Sequence, residues 1–141
     1  MRSSFGINMK IFYFGFLILL FFFWSNNGEV YANMKKTIAI DLDGVLDNYS
    51  EYTEEIPPIR NGAKSFIVKL SKDYELVLFT TRNPKSATTW LINNKIDKYF
   101  KDVTNVKIPA YIYIDDRNIR FNGDYSQTLE EIANFKVYWK K

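Results

Sequence analysis

The amino-acid sequence predicts an α/β fold built on a mostly parallel β-sheet. Short apolar segments that have the composition of strands alternate along the chain with segments of helical spacing, and this is the pattern of βαβ units. The strand-like segments are apolar without a break, which is typical of parallel strands covered on both faces. Acidic or hydroxyl residues follow several of them directly. Together these observations predict a single domain, a three-layer sandwich with helices packed on the sheet.

Four segments have the composition of strands, and a fifth is a candidate edge strand. The first two are unbroken apolar runs, whereas the third is weaker because polar residues surround it. The fourth, YIYID, is again mostly apolar and ends in an acid. The predicted strands are residues 37–41, 75–81, 103–106 and 111–115, with residues 137–139 as the edge strand.

Three segments have apolar residues at the i, i+3, i+4 spacing of an amphipathic helix. The turn signal Asn61-Gly62 precedes the first helix, and Asn83 before Pro84 predicts the N-cap of the second. Asp124 with Gln127 predicts a capping box for the third. The apolar positions of the three helices are Ala63, Phe66, Ile67 and Leu70; Ala87, Trp90 and Leu91; and Leu129, Ile132 and Ala133.

Residues 1–33 differ in composition from the rest of the chain. Arg2 and Lys10 precede an uncharged apolar run, residues 11–24, and small or apolar residues end the segment at Ala32. This order is that of a secretory signal peptide. The run is short for a membrane span of about 20 residues, so an uncleaved anchor is a second interpretation. We expect an exported or membrane-attached protein, or a cytoplasmic one if translation starts at Met34, with residues 34–141 forming the domain.

The composition excludes several kinds of chemistry. The chain contains neither histidine nor cysteine, so disulfides, thiolate metal sites and histidine-based triads are ruled out. Acid–base catalysis has to come from carboxylates, lysine or tyrosine. The net charge is +3 and the positive residues are scattered, which argues against nucleic-acid binding.

Polar side chains follow the predicted strands where these strands end. Asp41 and Asp43 follow the first strand, Thr80 ends the second, and Asp115 and Asp116 end the fourth. Ligands of open parallel sheets bind beyond the carboxyl ends of the strands, so we expect these residues on one rim. One acidic pair alone could simply cap a turn. Two pairs on one rim repel each other unless a cation neutralises them, and oxygen-only ligands favour Mg²⁺.

These residues carry a resemblance to a known family. The segment DLDGV, residues 41–45, resembles the first motif of the haloacid dehalogenase (HAD) superfamily, and Thr80 resembles its second. Lys107 lies where the phosphate-binding lysine of that family falls, and YIDD, residues 113–116, is similar to the fourth motif. The similarity covers residues 36–121 in order and in strand placement. The chain resembles in particular the small members of that family, which lack a cap domain.

The resemblance implies a Rossmann-like fold and hydrolysis of a phosphate ester through an aspartyl-phosphate. Asp41 would be the nucleophile, and Asp43 would protonate the leaving oxygen and then activate water. Thr80, Thr81 and Lys107 would bind the phosphate. The metal ligands would be Asp41 and Asp43 together with the fourth-motif acids, of which we favour Asp116 over Asp115 as the direct ligand.

The sequence indicates less about the roles of the other residues near the rim. We expect Asp47 to be a solvated loop acid, because loop acids commonly have no further role. Arg82 and Arg117 follow rim residues and could contact substrate, but exposed arginines are ordinarily surface charges. Tyr49 and Tyr52 could stack on a substrate ring, although an edge of the core or plain surface is the simpler interpretation.

The expected activity is therefore Mg²⁺-dependent hydrolysis of a small or medium phosphorylated substrate. A phosphotransferase or nucleic-acid-end phosphatase on the same scaffold is one alternative, and a non-catalytic phosphate- or metal-binding module is another. Residues 44–79 and 81–106 are too short to hold a cap as well as the predicted elements. We therefore expect an open site with weak binding of small phosphates, unless a neighbouring subunit of a homo-oligomer closes it.

Overall fold

The computed structural model describes residues 34–140 and contains a four-stranded sheet in the order β3-β2-β1-β4. All three pairings between neighbouring strands are parallel. The elements are β1 (Thr37–Ile40), α1 (Ala63–Leu70), β2 (Glu75–Phe79), α2 (Pro84–Asn93), a 3₁₀ turn (Asp97–Tyr99), β3 (Phe100–Thr104), β4 (Ile112–Ile114) and α3 (Tyr125–Asn134). The predicted α/β fold with a Rossmann-like parallel sheet is confirmed.

The central strand β1 is almost completely buried, because it has a parallel neighbour on each side. Ile38 and Ile40 alternate with Ala39, and all three are at most 2% exposed. The two isoleucines join Leu76 and Leu78 of β2 in one apolar cluster that includes side chains of α1 and α2. Burying each such side chain contributes about 1.5–3 kcal/mol, so this cluster is the main source of stability of the sheet.

The caps of the helices follow the sequence pattern. The Asn83 side chain accepts hydrogen bonds from the backbone of Lys85 and Ser86 at the start of α2, with Pro84 as the first helical residue. Asp124 caps α3 in the same way. The reciprocal half of the predicted capping box is absent, because the Gln127 side chain bonds to Asn122 and Glu131 instead.

Two strand predictions differ from the structure. The third strand covers Phe100–Thr104 and not residues 103–106, because Lys101 and Asp102 lie exposed on an edge strand and therefore give no apolar pattern. The prediction of an edge strand at residues 137–139 is wrong. Val137 begins a turn, closed by a hydrogen bond from Lys140 N to Val137 O, and the two residues between them contact the loop after β1.

Residues from Lys35 onward form one compact unit. Between β1 and β2 the structure contains a loop and α1, and between β2 and β3 it contains α2 and the 3₁₀ turn, so neither connection carries a cap domain. No helix within residues 34–140 is long and apolar enough to cross a membrane. The predicted signal peptide or anchor, residues 1–33, lies outside the described residues.

Candidate active site

The acidic residues after β1 and β4 meet at one end of the sheet. The chain runs outward from β1 through β2 to β3 and then returns to β4 on the other side of β1, so the direction of winding changes between β1 and β4. Such a switch point leaves a crevice beyond the strand ends, where ligands of open α/β sheets bind. Asp41 N donates to Ile114 O at 2.8 Å, which places Asp41 beside the end of β4.

Three carboxylates lie close together in this crevice. One oxygen each from Asp41, Asp115 and Asp116 can be chosen so that all three atoms lie within 4.8 Å of one another. We call these three residues the acidic cluster. The residues supply only oxygen, and their carboxylates are close enough to share one hard cation. Three of the four predicted metal ligands, Asp41, Asp115 and Asp116, are thus brought together, whereas Asp43 is not a member of the cluster.

The cluster is electrostatically unfavourable without a cation. The pKa of Asp41 is raised to about 7, first by burial and then by the charges of Asp115, Asp43 and Asp116. A hydrogen bond from Leu42 N to Asp41 Oδ1, 2.7 Å long, works in the opposite direction but does not cancel these effects. A bound cation would relieve the same repulsion, so the donor set and its electrostatics both fit a divalent metal ion.

Asp115 and Asp116 are held in different ways. The Asp115 carboxylate is partly buried and accepts a hydrogen bond from Arg117 N at 2.8 Å. The Asp116 carboxylate is only 1% exposed, and its Oδ2 accepts a hydrogen bond from the indole Nε1 of Trp139 at 2.5 Å. Asp116 Oδ1 has no hydrogen-bond partner among the described residues, although Arg117 Nε lies 3.8 Å away. A buried oxygen without a donor is what a metal ligand would present.

Asp43 faces a different partner from the other rim acids. Its carboxylate accepts from Arg82 Nε at 2.8 and 3.0 Å, and Arg82 Nη2 lies 2.8 Å from Oδ1. Both residues are 7% exposed. The expectation that Arg82 is an exposed surface charge is therefore wrong. Its side chain is buried because Asp43 neutralises it, and the hydrogen bond to Asp43 raises the Arg82 pKa.

Arg82 also contacts the loop between β1 and α1. Its Nη1 donates to Thr53 O, and its guanidinium carbon lies 5.1 Å from the centre of the Tyr52 ring. Tyr52 itself is 73% exposed, in agreement with a surface position. Asp43 is therefore connected through one buried guanidinium to the loop that borders the site.

Asp47 is wholly buried, so its prediction as a solvated loop acid is wrong. Its Oδ1 accepts from Gly44 N at 2.8 Å and from Tyr49 N at 3.0 Å, which closes the turn after the first motif. Burial is the largest cause of a pKa raised to about 6. The bond from Tyr49 N, two residues after Asp47, is the Asx-turn pattern of aspartate side chains, which could have indicated this role.

The three predicted phosphate-binding residues differ in exposure. Thr80 is 1% exposed at the end of β2, and its hydroxyl oxygen accepts from Arg82 N at 3.2 Å. Thr81 beside it is exposed. Lys107 is also exposed, and its ammonium lies 5.2 Å from the centre of the Tyr113 ring on β4. The hydroxyl hydrogen of Thr80 and the ammonium of Lys107 are thus donors at the carboxyl ends of the strands.

Two residues near the C-terminus belong to the site and have no motif that reveals them. Trp139 contacts Asp116 as described, and the Tyr138 hydroxyl donates to Gly44 O in the first motif. Arg117 lies over both Tyr49 and Trp139, at 4.9 and 5.6 Å from the ring centres. Sequence analysis placed Tyr138 and Trp139 in an edge strand, because contacts between residues so distant in the chain leave no local pattern.

Comparisons with known proteins give limited similarity. No family model matches the chain, and no curated protein matches it. The solved structure of a conserved protein from Bacteroides thetaiotaomicron matches with 23% sequence identity and a TM-score of 0.49. That match covers 74% of this chain and 94% of the other chain.

Proposed function

We propose that this protein is a Mg²⁺-dependent phosphate monoester hydrolase that works through an aspartyl-phosphate intermediate. The observation that carries the proposal is the acidic cluster at the switch point of the sheet. Two neighbouring strands deliver its three carboxylates, and one of them, the 1%-exposed carboxylate of Asp116, retains an oxygen that has no donor among the described residues. The resemblance of residues 41–45 and 113–116 to the HAD motifs assigns the nucleophile and the metal ligands to these same positions.

Asp41 is the nucleophile in this proposal. It lies first after β1, it belongs to the acidic cluster, and its partly buried carboxylate has one oxygen held by Leu42 N. Attack by the other oxygen would form the aspartyl-phosphate and release the alcohol or phenol. A bound Mg²⁺ would neutralise charge on the phosphoryl oxygens and lower the repulsion between Asp41 and Asp116.

Asp43 supplies the acid–base function in this proposal. It has to separate from Arg82 before it can carry a proton to the leaving oxygen and later take one from water. The hydroxyl of Thr80 and the ammonium of Lys107 provide hydrogen-bond and charge stabilisation for the phosphoryl group, together with Thr81 at the rim. The substrate approaches from solvent, because no cap domain is inserted between β1 and β3.

One observation favours a second candidate, a non-catalytic metal-binding module. The Asp43 carboxylate is buried against Arg82, and a module that only binds a cation would need no mobile acid. The two candidates share the acidic cluster and differ only in turnover.

The deciding experiment measures release of inorganic phosphate from a panel of phosphorylated metabolites. The purified protein is assayed with Mg²⁺, with chelator, and beside an Asp41→Asn variant prepared in parallel. We expect Mg²⁺-dependent release that the variant lacks, with high KM values for small substrates because the site is open. Release that is equal in chelator, or equal in the variant, would overturn the proposal. Mg²⁺ binding without release from any panel member would support the binding module.

A further inference from the structure

We propose that Trp139 is a positioning residue that holds the metal-binding carboxylate of Asp116 in its working orientation. The inference rests on the proposed function, because it takes the acidic cluster to be a metal site. It adds a residue that lies outside the four motifs and outside the sheet. Trp139 acts through Asp116 and does not itself contact substrate or metal.

The two carboxylate oxygens of Asp116 have different hydrogen-bonding surroundings. The indole Nε1 of Trp139 donates to Oδ2, while Oδ1 has no hydrogen-bond partner among residues 34–140. The carboxylate is 1% exposed, so water does not compete for either atom. A carboxylate that is fixed through one oxygen cannot turn freely about its terminal bond. The free oxygen is therefore kept available to the acidic cluster, in the way that outer partners orient metal ligands.

The indole is itself fixed by contacts on two sides. The Tyr49 ring packs against it edge-on, with ring centres 5.3 Å apart, and the Arg117 guanidinium lies over it. The preceding residue, Tyr138, anchors the chain through its hydroxyl bond to Gly44 O, and Arg60 lies 5.1 Å from the centre of the Tyr138 ring. Trp139 is thus held by contacts on two sides, although it lies in a turn.

The loop after β1, which starts at Asp41, packs directly on the Trp139–Asp116 pair. A Cβ at Gly44 would lie 2.5 Å from Asp116 Oδ2 and 3.0 Å from Trp139 Nε1. These distances show that the backbone at position 44 is in contact with the hydrogen bond between the two side chains. The same bond therefore fixes Asp116 relative to the loop that starts at Asp41, and not only relative to its own strand.

The test is the affinity of the protein for Mg²⁺, measured by isothermal titration calorimetry with MgCl₂ alone. Trp139→Phe keeps an aromatic ring against Tyr49 but removes the N–H donor. The matched control is Trp90→Phe, because Trp90 also donates one indole hydrogen bond, to Pro57 O at 2.9 Å, and is not part of the acidic cluster. Circular dichroism and thermal unfolding without metal establish that both variants are folded.

We expect Trp139→Phe to weaken Mg²⁺ binding by about 10-fold or more, the usual effect of losing an outer partner of a metal ligand. Trp90→Phe should lower the melting temperature and leave the affinity within about twofold of the wild type. Unchanged affinity in Trp139→Phe, or equal losses in both variants, would overturn the positioning role while the metal site stands. A wild-type protein without saturable Mg²⁺ binding would overturn both the inference and the metal site.

A second variant covers the case in which Trp139→Phe does not fold. Tyr138→Phe keeps the ring beneath Arg60 and removes only the hydroxyl bond to Gly44 O. Because this bond anchors Trp139, its loss should also weaken Mg²⁺ binding, by less than the loss of the indole donor. An affinity equal to that of the wild type in a folded Tyr138→Phe protein would count against the anchoring of Trp139.

Discussion

Arg82 and Asp43 form a buried ion pair in which the guanidinium Nε lies 2.8 Å from one carboxylate oxygen and 3.0 Å from the other. The pair joins the loop after β1, which contains Asp43, to the segment after β2, where Arg82 follows Thr80 and Thr81. It explains how two charged side chains are accommodated at 7% exposure each, because neither charge would be tolerated there alone. It also means that the carboxylate proposed as the acid–base group is engaged in an ion pair with Arg82.

Removing Arg82 should destabilise the fold strongly. Arg82→Met leaves the Asp43 carboxylate buried without its partner, so we expect the free energy of unfolding to fall by about 3–5 kcal/mol. The control is Lys101→Met, since Lys101 forms an equally short pair with Glu75, but at 63% exposure. That loss should be under about 1 kcal/mol. Urea unfolding measures both changes, and similar losses would contradict the role assigned to the buried pair.

The two acids of the first motif should differ in their dependence on the leaving group. Asp41→Asn should abolish turnover of every substrate, because no covalent bond to phosphorus can form. In a single turnover, Asp43→Asn should slow release of the alcohol from an alkyl phosphate by roughly 10²–10⁴-fold. It should slow the first-turnover release of nitrophenolate from p-nitrophenyl phosphate much less, because nitrophenolate leaves without a proton. Equal losses on both substrates in this first step would show that Asp43 acts through the fold and not as an acid.

The stability of the metal-free protein should fall as pH rises through the acid range. Burial raises the pKa of Asp41 from 3.8 to about 7 and that of Asp47 to about 6. Between pH 3.8 and about pH 7 the folded protein therefore binds more protons than the unfolded chain, so the free energy of unfolding decreases with increasing pH.

Asp41→Asn should flatten this slope, and Mg²⁺ should raise the melting temperature more at about pH 8 than at about pH 5, where Asp41 is protonated. Thermal unfolding across pH, with and without Mg²⁺, gives both quantities. A melting temperature of the metal-free protein that increases from pH 4 to pH 7, or an unchanged slope in the variant, would contradict the assignment.

Gly44→Ala should lower the free energy of unfolding by more than the backbone conformation at this position alone explains. Gly44 has a φ of 79°, and Gly62 has a φ of 86°, so alanine is strained to a similar extent at both positions, by roughly 1–2 kcal/mol. Only at Gly44 does the added Cβ meet other atoms, the closest being Asp116 Oδ2 at 2.5 Å. We expect Gly44→Ala to be the more destabilising change in urea and the only one that weakens Mg²⁺ binding. Equal effects of the two variants would mean that the loop and Asp116 adjust freely.

The parts of the molecule that sequence analysis located are those with a local signal. Such signals are the apolar runs of β1 and β2 and the acids at residues 41 and 115–116. The hydrophobic pattern of a strand, and the acids at its end, can be recognised within a few consecutive residues. The roles of Arg82 and Asp47 were misjudged, because burial of a charge depends on a partner or a turn that the composition of a loop does not reveal. Trp139 and Tyr138 were placed in a strand for the same reason: their partners lie 23 and 94 positions away.

The position of β1 between β2 and β4 has a consequence for the order of folding. Residues 41–74 join β1 to β2 and residues 80–99 join β2 to β3, whereas residues 41–111 separate β1 from β4. Among the neighbouring strands of the sheet, the pairing of β1 with β4 therefore closes the longest loop. We therefore expect β4 to dock late, and the acidic cluster to be completed only after the main barrier to folding. Mg²⁺ should then slow unfolding and leave the refolding rate nearly unchanged, which stopped-flow measurements can establish. If Mg²⁺ accelerated refolding, β4 would already be docked in the transition state. With late docking, bound metal would prolong the life of the folded protein more than it helps the chain to reach that state.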